Sequence, residues 1–313
     1  MLEALGGFAV IGLPILVGYL VARLKILAPG TGRQLNLLVF YVLIPFMLFT
    51  LMARADLWVL LSPAALDSFT VALISFALYA LVAGLVWRRG RAEVTVGALS
   101  AGYANAGHIG LPVALHLLGD ATFAAPIILF QTALFAPVAL AILDTASGKR
   151  ERPLWKVVLH AVFSPIVIGS LGGVLVSLLP WTPPPLLLEA TDLIGQAAIP
   201  VVLIAFGMSL RGRVLLQAGP HRAEALLASA LKLLAMPMLA YALGRFAFGL
   251  DQVGLYAVTT LAALPTAQNV FNYATRYQQS TTVARDAISL TTLCSAPLIL
   301  AIAGLLGPGG LLA

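Results

Sequence analysis

Long apolar runs, each roughly as long as a bilayer is thick and separated by short polar loops, set the pattern of this chain. Ten segments can be marked off, near residues 5 to 22, 35 to 53, 66 to 87, 94 to 118, 122 to 143, 154 to 179, 186 to 209, 225 to 247, 252 to 277 and 286 to 306. The runs are continuous, whereas a membrane barrel would alternate polar and apolar residues over about 10 positions, so helices are predicted. Two segments break the pattern. NAGHIGLP, from Asn105 to Pro112, and LPTAQNVFN, from Leu264 to Asn272, place Asn, Gly and Pro inside otherwise apolar spans. Proline removes a backbone donor and clashes with the preceding turn, so segments four and nine are predicted to be interrupted at mid-membrane. Such interruptions line polar cavities where freed backbone groups meet an ion or solute, and a pair in the two halves of a chain is the pattern of secondary transporters.

An internal repeat underlies the ten segments. TALFAPVALAI (Thr132 to Ile142) and TLCSAPLILAI (Thr292 to Ile302) agree at six of eleven positions, at an offset of 160 residues. Leu13-Pro14-Ile15 with Gly18 matches Ser164-Pro165-Ile166 with Gly169 at 151, and Ile44-Pro45 with Leu48 matches Ile199-Pro200 with Leu203 at 155. A duplicated unit of five helices is odd-numbered, so its second copy enters the membrane from the opposite side. The expected fold is therefore an all-α integral membrane protein of ten transmembrane helices in two inverted five-helix repeats, with helices four and nine broken and crossed. The repeats are residues 1–145 and 154–313, joined by a cytoplasmic linker at 146–153. Carrying the offset of 160 into segments four and nine exchanges two residue types: Asn105 falls on Pro265 and Pro112 on Asn272. Each break would then pair a helix-disrupting proline with an amide able to satisfy orphaned backbone groups.

Composition agrees with the segment pattern: 61% of the 313 residues are hydrophobic and 10% charged, against about 25% charged in soluble domains. The net charge of +6 would suggest nucleic acid in a soluble domain, but here the bases lie in short loops and report topology. Fifteen of the eighteen Lys and Arg fall on one side of the ten-segment arrangement, Arg54 and Arg245 on the other, and Lys232 inside segment eight. The fifteen-base side is cytoplasmic, which puts both termini outside a cell (inner or plasma) membrane. Basic residues follow the first apolar run instead of preceding it, so that run reads as a retained helix and not a signal peptide. The single Cys294 permits no internal disulfide and is expected as a small buried hydrophobe.

Candidate chemistry concentrates at the breaks. Asn105 and Asn272 either contact a solute or cap broken helices, and Gln268 and Asn269 share that stretch. His108 is either a structural imidazole bonded to a freed carbonyl or a proton carrier. Gly107 and Gly110 allow close approach of another helix, with a possible binding role. Gln131 and its repeat mate Thr291 can reach the crossing from segments five and ten. Facing half-helix N-termini add partial positive charge suited to an anion. Lys232 is the lone base well inside a span, on the order of 10 Å from the cytoplasmic end, and is either a counter-charge, a mimic of a coupling cation or a structural anchor.

Asn105 followed by Gly110-Leu111-Pro112, and Ala263-Leu264-Pro265 leading to Phe271, Ala274 and Tyr277, resemble the auxin efflux carrier family of plant auxin exporters and bacterial relatives. The resemblance implies a two-domain carrier. Segments 1, 2, 6 and 7 would form a scaffold, often dimeric, and segments 3 to 5 and 8 to 10 a moving domain. It also implies an organic anion as cargo, a carboxylate or auxin-like weak acid bound where the broken helices cross, with no cofactor. The site expected on these grounds comprises Asn105, Gly107, His108, Gly110, Pro112, Gln131, Pro265, Thr266, Gln268, Asn269 and Asn272, with Lys232 and His108 as charge or coupling groups. Two departures from the plant pattern stand out. The link between repeats is too short for a large cytosolic loop, and Val71 stands four residues after Asp67, where an acid and base pair is associated with plant carriers. A bacterial-type carboxylate therefore fits at least as well as auxin.

Three classes compete. A carrier of organic anions working by alternating access is favoured. A sodium- or proton-coupled symporter or antiporter of similar architecture is the alternative; an antiporter is expected to show paired intramembrane carboxylates, and segments four, five, nine and ten offer none at their centres. A membrane enzyme would need a nucleophile with its base or a metal cluster, and neither His108 nor Cys294 has an identifiable partner of that kind.

Overall fold

A computed structural model describes residues 2–28, 30–54, 62–146, 163–179, 183–211, 221–308 and 310–311. Among the described residues the secondary structure is helical apart from one isolated bridge. The helices are α1 (Leu2–Arg23), α2 (Thr31–Arg54), α3 (Pro63–Val86), α4 (Arg91–Gly102), α5 (Ala106–Leu117), α6 (Ala121–Ala146), α7 (Pro165–Leu178), α8 (Pro185–Ser209), α9 (Arg222–Phe246), α10 (Gln252–Ala262), α11 (Gln268–Tyr277) and α12 (Thr281–Leu306). Six of them, α2, α3, α6, α8, α9 and α12, are long and apolar enough to cross a membrane. Described helix falls in each apolar segment of the sequence, and segments four and nine are each divided in two, α4 with α5 and α10 with α11. The linker expected at 146–153 lies, but for Ala146 at its edge, outside the described residues.

Start signals in the sequence fix several helix ends. Ser62, Ser164 and Asp251 accept from the backbone N–H three residues on, which satisfies a donor that the first turn leaves orphaned. Prolines inside spans are absorbed differently. The π-turns Val39–Leu43, Ala106–Gly110, Gln131–Phe135 and Leu231–Ala235 each end two residues before a proline, at Pro45, Pro112, Pro137 and Pro237. Widening the turn accommodates the missing N–H and the ring without ending the helix.

Packing rests on small residues. A Cβ on Gly18 of α1 would lie 2.0 Å from Ile204 O of α8, and one on Gly207 of α8 would lie 2.0 Å from Ile15 O of α1. The same device joins α2 to α7, where Cβ atoms on Gly169 and Gly173 would lie 2.4 Å from Pro45 O and Phe49 O. Backbones approach this closely only where the residue facing the neighbouring helix is glycine, the small-residue packing of membrane helix pairs. A second cluster gathers Val71, Val96, Phe135, Met236, Val258 and Val270 from α3, α4, α6, α9, α10 and α11. Large apolar side chains such as Leu13, Leu193 and Phe246 point outward, where lipid is the natural solvent. Cys294 is exposed on α12, in contrast to the buried role expected of it, because its face of the helix is turned away from the core.

Candidate functional site

The two interruptions meet. α4 ends at Gly102 and α5 starts at Ala106; α10 ends at Ala262 and α11 starts at Gln268. Between them Ala104 and Thr266 form an antiparallel bridge. Asn105 N–H donates to Pro265 O at 2.8 Å, and Ala267 N–H donates to Tyr103 O at 3.0 Å. Two stretches of non-helical backbone thus satisfy each other in a setting where an unpaired peptide group costs several kcal/mol. Asn105 and Pro265, 160 residues apart, are also the pair that the repeat offset equates.

Side chains fix the crossing. Thr266, fully buried, donates from Oγ1 to Ser100 O at 2.6 Å, and its N–H donates to Thr291 Oγ1 at 3.1 Å. Thr291 in turn donates to Ala287 O at 2.7 Å, so α12 holds the second break through one hydroxyl. Tyr103 OH donates to Gln131 O at 3.2 Å, tying the first break to the π-turn of α6. Gly110 explains how the two breaks come so close: a Cβ there would lie 2.9 Å from Leu264 Cδ1. Gly107 faces Ile44 of α2 at ordinary contact distance.

Not every predicted residue lies at the crossing. Pro112 sits inside α5 and Asn272 on an exposed face of α11, so the expected second exchange of proline and amide does not occur at the breaks. The reason is local: the π-turn Ala106–Gly110 leads directly into helix through Pro112, and the backbone leaves helical geometry at Tyr103 to Asn105, at the very start of the NAGHIGLP motif. Gln268 and Asn269 occupy the first turn of α11 and are half-buried. His108 is half-buried within the π-turn of α5. Asn105 is 4% exposed, its Oδ1 is buried, and its side chain forms no hydrogen bond with the described residues.

A small cavity of about 20 Å³ lies beside the crossing, lined by Gly102, Ala104, Leu261 and Ala262 of the breaks and by Ser68 and Gln131 among others. That volume is on the scale of one water. Lys232 is fully buried in the π-turn of α9 and donates from Nζ to Ala262 O at 2.6 Å. Sequence reasoning gave Asp67 no role of its own. It is fully buried in the first turns of α3, next to the cavity-lining Ser68, and neither carboxylate oxygen has a hydrogen-bond partner among the described residues. A carboxylate inside an apolar span was the available signal.

Four helix ends therefore converge: the N-terminal ends of α5 and α11, which carry partial positive charge, and the C-terminal ends of α4 and α10, which carry partial negative charge. Residues 9–303 match the model of a family described as "Membrane transport protein". The chain belongs to that family, the auxin efflux carriers. The transporter is 30% identical over 305 residues to a Rhizobium meliloti (strain 1021) protein named "Putative malonate transporter", covering 95% of this chain and 94% of that one. It is 28% identical over 233 residues to an "Uncharacterized transporter" of Methanothermobacter thermautotrophicus, covering 72% and 73% of the two chains. Family and apolar helices together make it a multi-pass membrane protein.

Proposed function

We propose that the protein is a secondary carrier of a small organic anion, a carboxylate of malonate size, bound where the two broken helices cross. The observation that carries the reading is the crossing itself: two hydrogen-bonded breaks bring the N-terminal ends of α5 and α11 together beside Asn105, whose buried side-chain oxygen has no hydrogen-bond partner among the described residues. Orphaned N–H groups in the first turns, helix dipoles and an amide donor form a site for carboxylate oxygens. Gly107, His108, Gly110, Gln131, Pro265, Thr266, Gln268 and Asn269 complete its wall. The name of the Rhizobium relative supports a dicarboxylate.

In this reading all ten segments span the membrane as two inverted repeats with both termini outside. The glycine-mediated pairs α1 with α8 and α2 with α7 belong to a scaffold, through which two copies associate, and the helices of the second cluster form the moving body. A cavity the size of one water cannot hold a dicarboxylate, so the crossing must open, to each side in turn, to admit one. An anion moving alone would couple to membrane potential at about 2.3 kcal/mol per charge per 100 mV, enough to drive transport. The test is uptake of a panel of labelled mono- and dicarboxylates into proteoliposomes, with pH, sodium and voltage varied independently. Saturable uptake of small dicarboxylates is expected; uptake of none of the panel would overturn the reading.

A further inference from the structure

The C-terminal end of α10 lies at the crossing, where its last four carbonyls have lost the turn that would have continued them. All four are nonetheless met. Ala263 N–H donates to Thr259 O at 3.1 Å and Thr260 O at 3.2 Å, and Leu264 N–H donates to Leu261 O at 3.3 Å. The last, Ala262 O, accepts from Lys232 Nζ at 2.6 Å. The lysine is 0% exposed, and this carbonyl is its one hydrogen-bond partner among the described residues, although an ammonium has three donors.

The end of α4 meets the same crossing without such a cap. Leu99 O accepts from Tyr103 N–H at 2.9 Å and Ser100 O from Thr266 Oγ1 at 2.6 Å, while no described group donates to the carbonyls of Ala101 and Gly102. Gly102 stands 160 residues before Ala262, and Ala72 stands 160 before Lys232. Ala72 is indeed the neighbour of Gly102, its carbonyl oxygen lying 3.1 Å from the position of a Gly102 Cβ. Equivalent places thus hold lysine in one half and alanine in the other; the cavity is lined by Ala72 and Gly102 in the first half and by Ala262 in the second, and Lys232 is not among its lining residues.

In ion-coupled carriers the carbonyl ends of broken helices hold a free cation. We propose that Lys232 is a tethered cation: its amino group occupies the carbonyl end of α10, the place a coupling sodium would take, and the transport cycle therefore runs without sodium. The inference rests on the carrier reading above and assigns Lys232 a positioning role at the second break, not contact with cargo. Its geometry supports that assignment, since the one bond it makes is to the helix end and Lys232 does not itself line the cavity.

Two arms test this. Proteoliposome uptake of labelled malonate is measured with sodium, potassium or choline as the sole added cation at equal ionic strength; the wild type should give equal rates in all three. Lys232→Met, which keeps the bulk and removes the charge, should lower uptake at least tenfold. Independently of any substrate, the unfolding temperature of purified protein is compared in sodium and choline. It should be the same for the wild type, whereas Lys232→Ala, whose vacated site can admit an ion, should be stabilised by sodium specifically. Wild-type uptake that stops in choline, sodium-specific stabilisation of the wild type, or full activity of Lys232→Met would each overturn the proposal. Failure of every carboxylate to be taken up strikes the carrier reading instead, and the unfolding arm on the wild type still decides this one even if the variants do not fold.

Discussion

Asn105 separates folding from function cleanly, because its main chain and its side chain do different things. The backbone N–H holds the crossing through Pro265 O at 2.8 Å, and the side chain hydrogen-bonds to no described residue. Asn105→Ala keeps the first and deletes the second. No intramolecular hydrogen bond is lost, and removal of a buried, unsatisfied carbonyl oxygen relieves a penalty of about 1 to 3 kcal/mol, which offsets the packing lost with the amide. The unfolding temperature should therefore stay within about 2 °C of the wild type, since 1 kcal/mol moves it by about 2 to 4 °C in a chain of 150–250 residues. Transport should respond differently. A hydrogen bond to a charged ligand contributes about 1.5 to 3 kcal/mol, so malonate uptake in proteoliposomes should fall by about 10- to 100-fold at low substrate. Unchanged uptake would remove the amide from the site. A fall in unfolding temperature of many degrees would show that the side chain is structural, and the reasoning from its missing partners would be refuted.

The remaining predictions follow the contacts outward. Thr266→Val leaves Ser100 O without its 2.6 Å donor and should destabilise by about 0.6 to 1.7 kcal/mol, while Thr266→Ser restores the bond; equal unfolding temperatures for the two variants would sink this assignment. Gly18→Ala must push α1 from α8, because the new Cβ meets backbone at 2.0 Å and not a movable side chain, so a loss of about 1 to 3 kcal/mol is expected by thermal unfolding. At the ends of α3 and α9, Glu224 accepts from Arg89 at 2.5 Å and His221 at 3.1 Å, with side-chain exposures of 3% for Glu224 and 30% for Arg89. Removing the arginine strands a buried carboxylate, whereas removing the glutamate frees a guanidinium that reaches water, so Arg89→Ala should lower the unfolding temperature more than Glu224→Ala. The reverse order would contradict the burial argument.

Much of the architecture was legible because hydrocarbon imposes a simple code: helices had to fill the apolar runs, and the two runs that combine Asn, Gly and Pro, segments four and nine, are the two that are interrupted. Asn105 and Pro265, which stand 160 residues apart in the sequence, do meet, through the hydrogen bond from Asn105 N–H to Pro265 O. What was not readable was how each proline would be absorbed. Pro265 lies in a break and Pro112 in helix just past a widened turn, and that choice depends on neighbours such as Leu264 against Gly110, not on the proline. Thr266 and Thr291 reveal the same limit, because a hydroxyl in an apolar run gives no sign of which distant carbonyl or amide it meets. Lys232 was visible as an anomaly, but only coordinates identify Ala262 O as its partner. Asp67 passed with little notice at the edge of a span and proved fully buried without a partner among the described residues.

A structure determined with malonate bound measures the central claim most directly. Density for the dicarboxylate within hydrogen-bonding reach of Asn105 and the first turn of α11, in a crossing opened beyond its present one-water cavity, is the predicted result. Density seated elsewhere, with the two breaks still closed on each other through Asn105 N–H and Pro265 O, would contradict it.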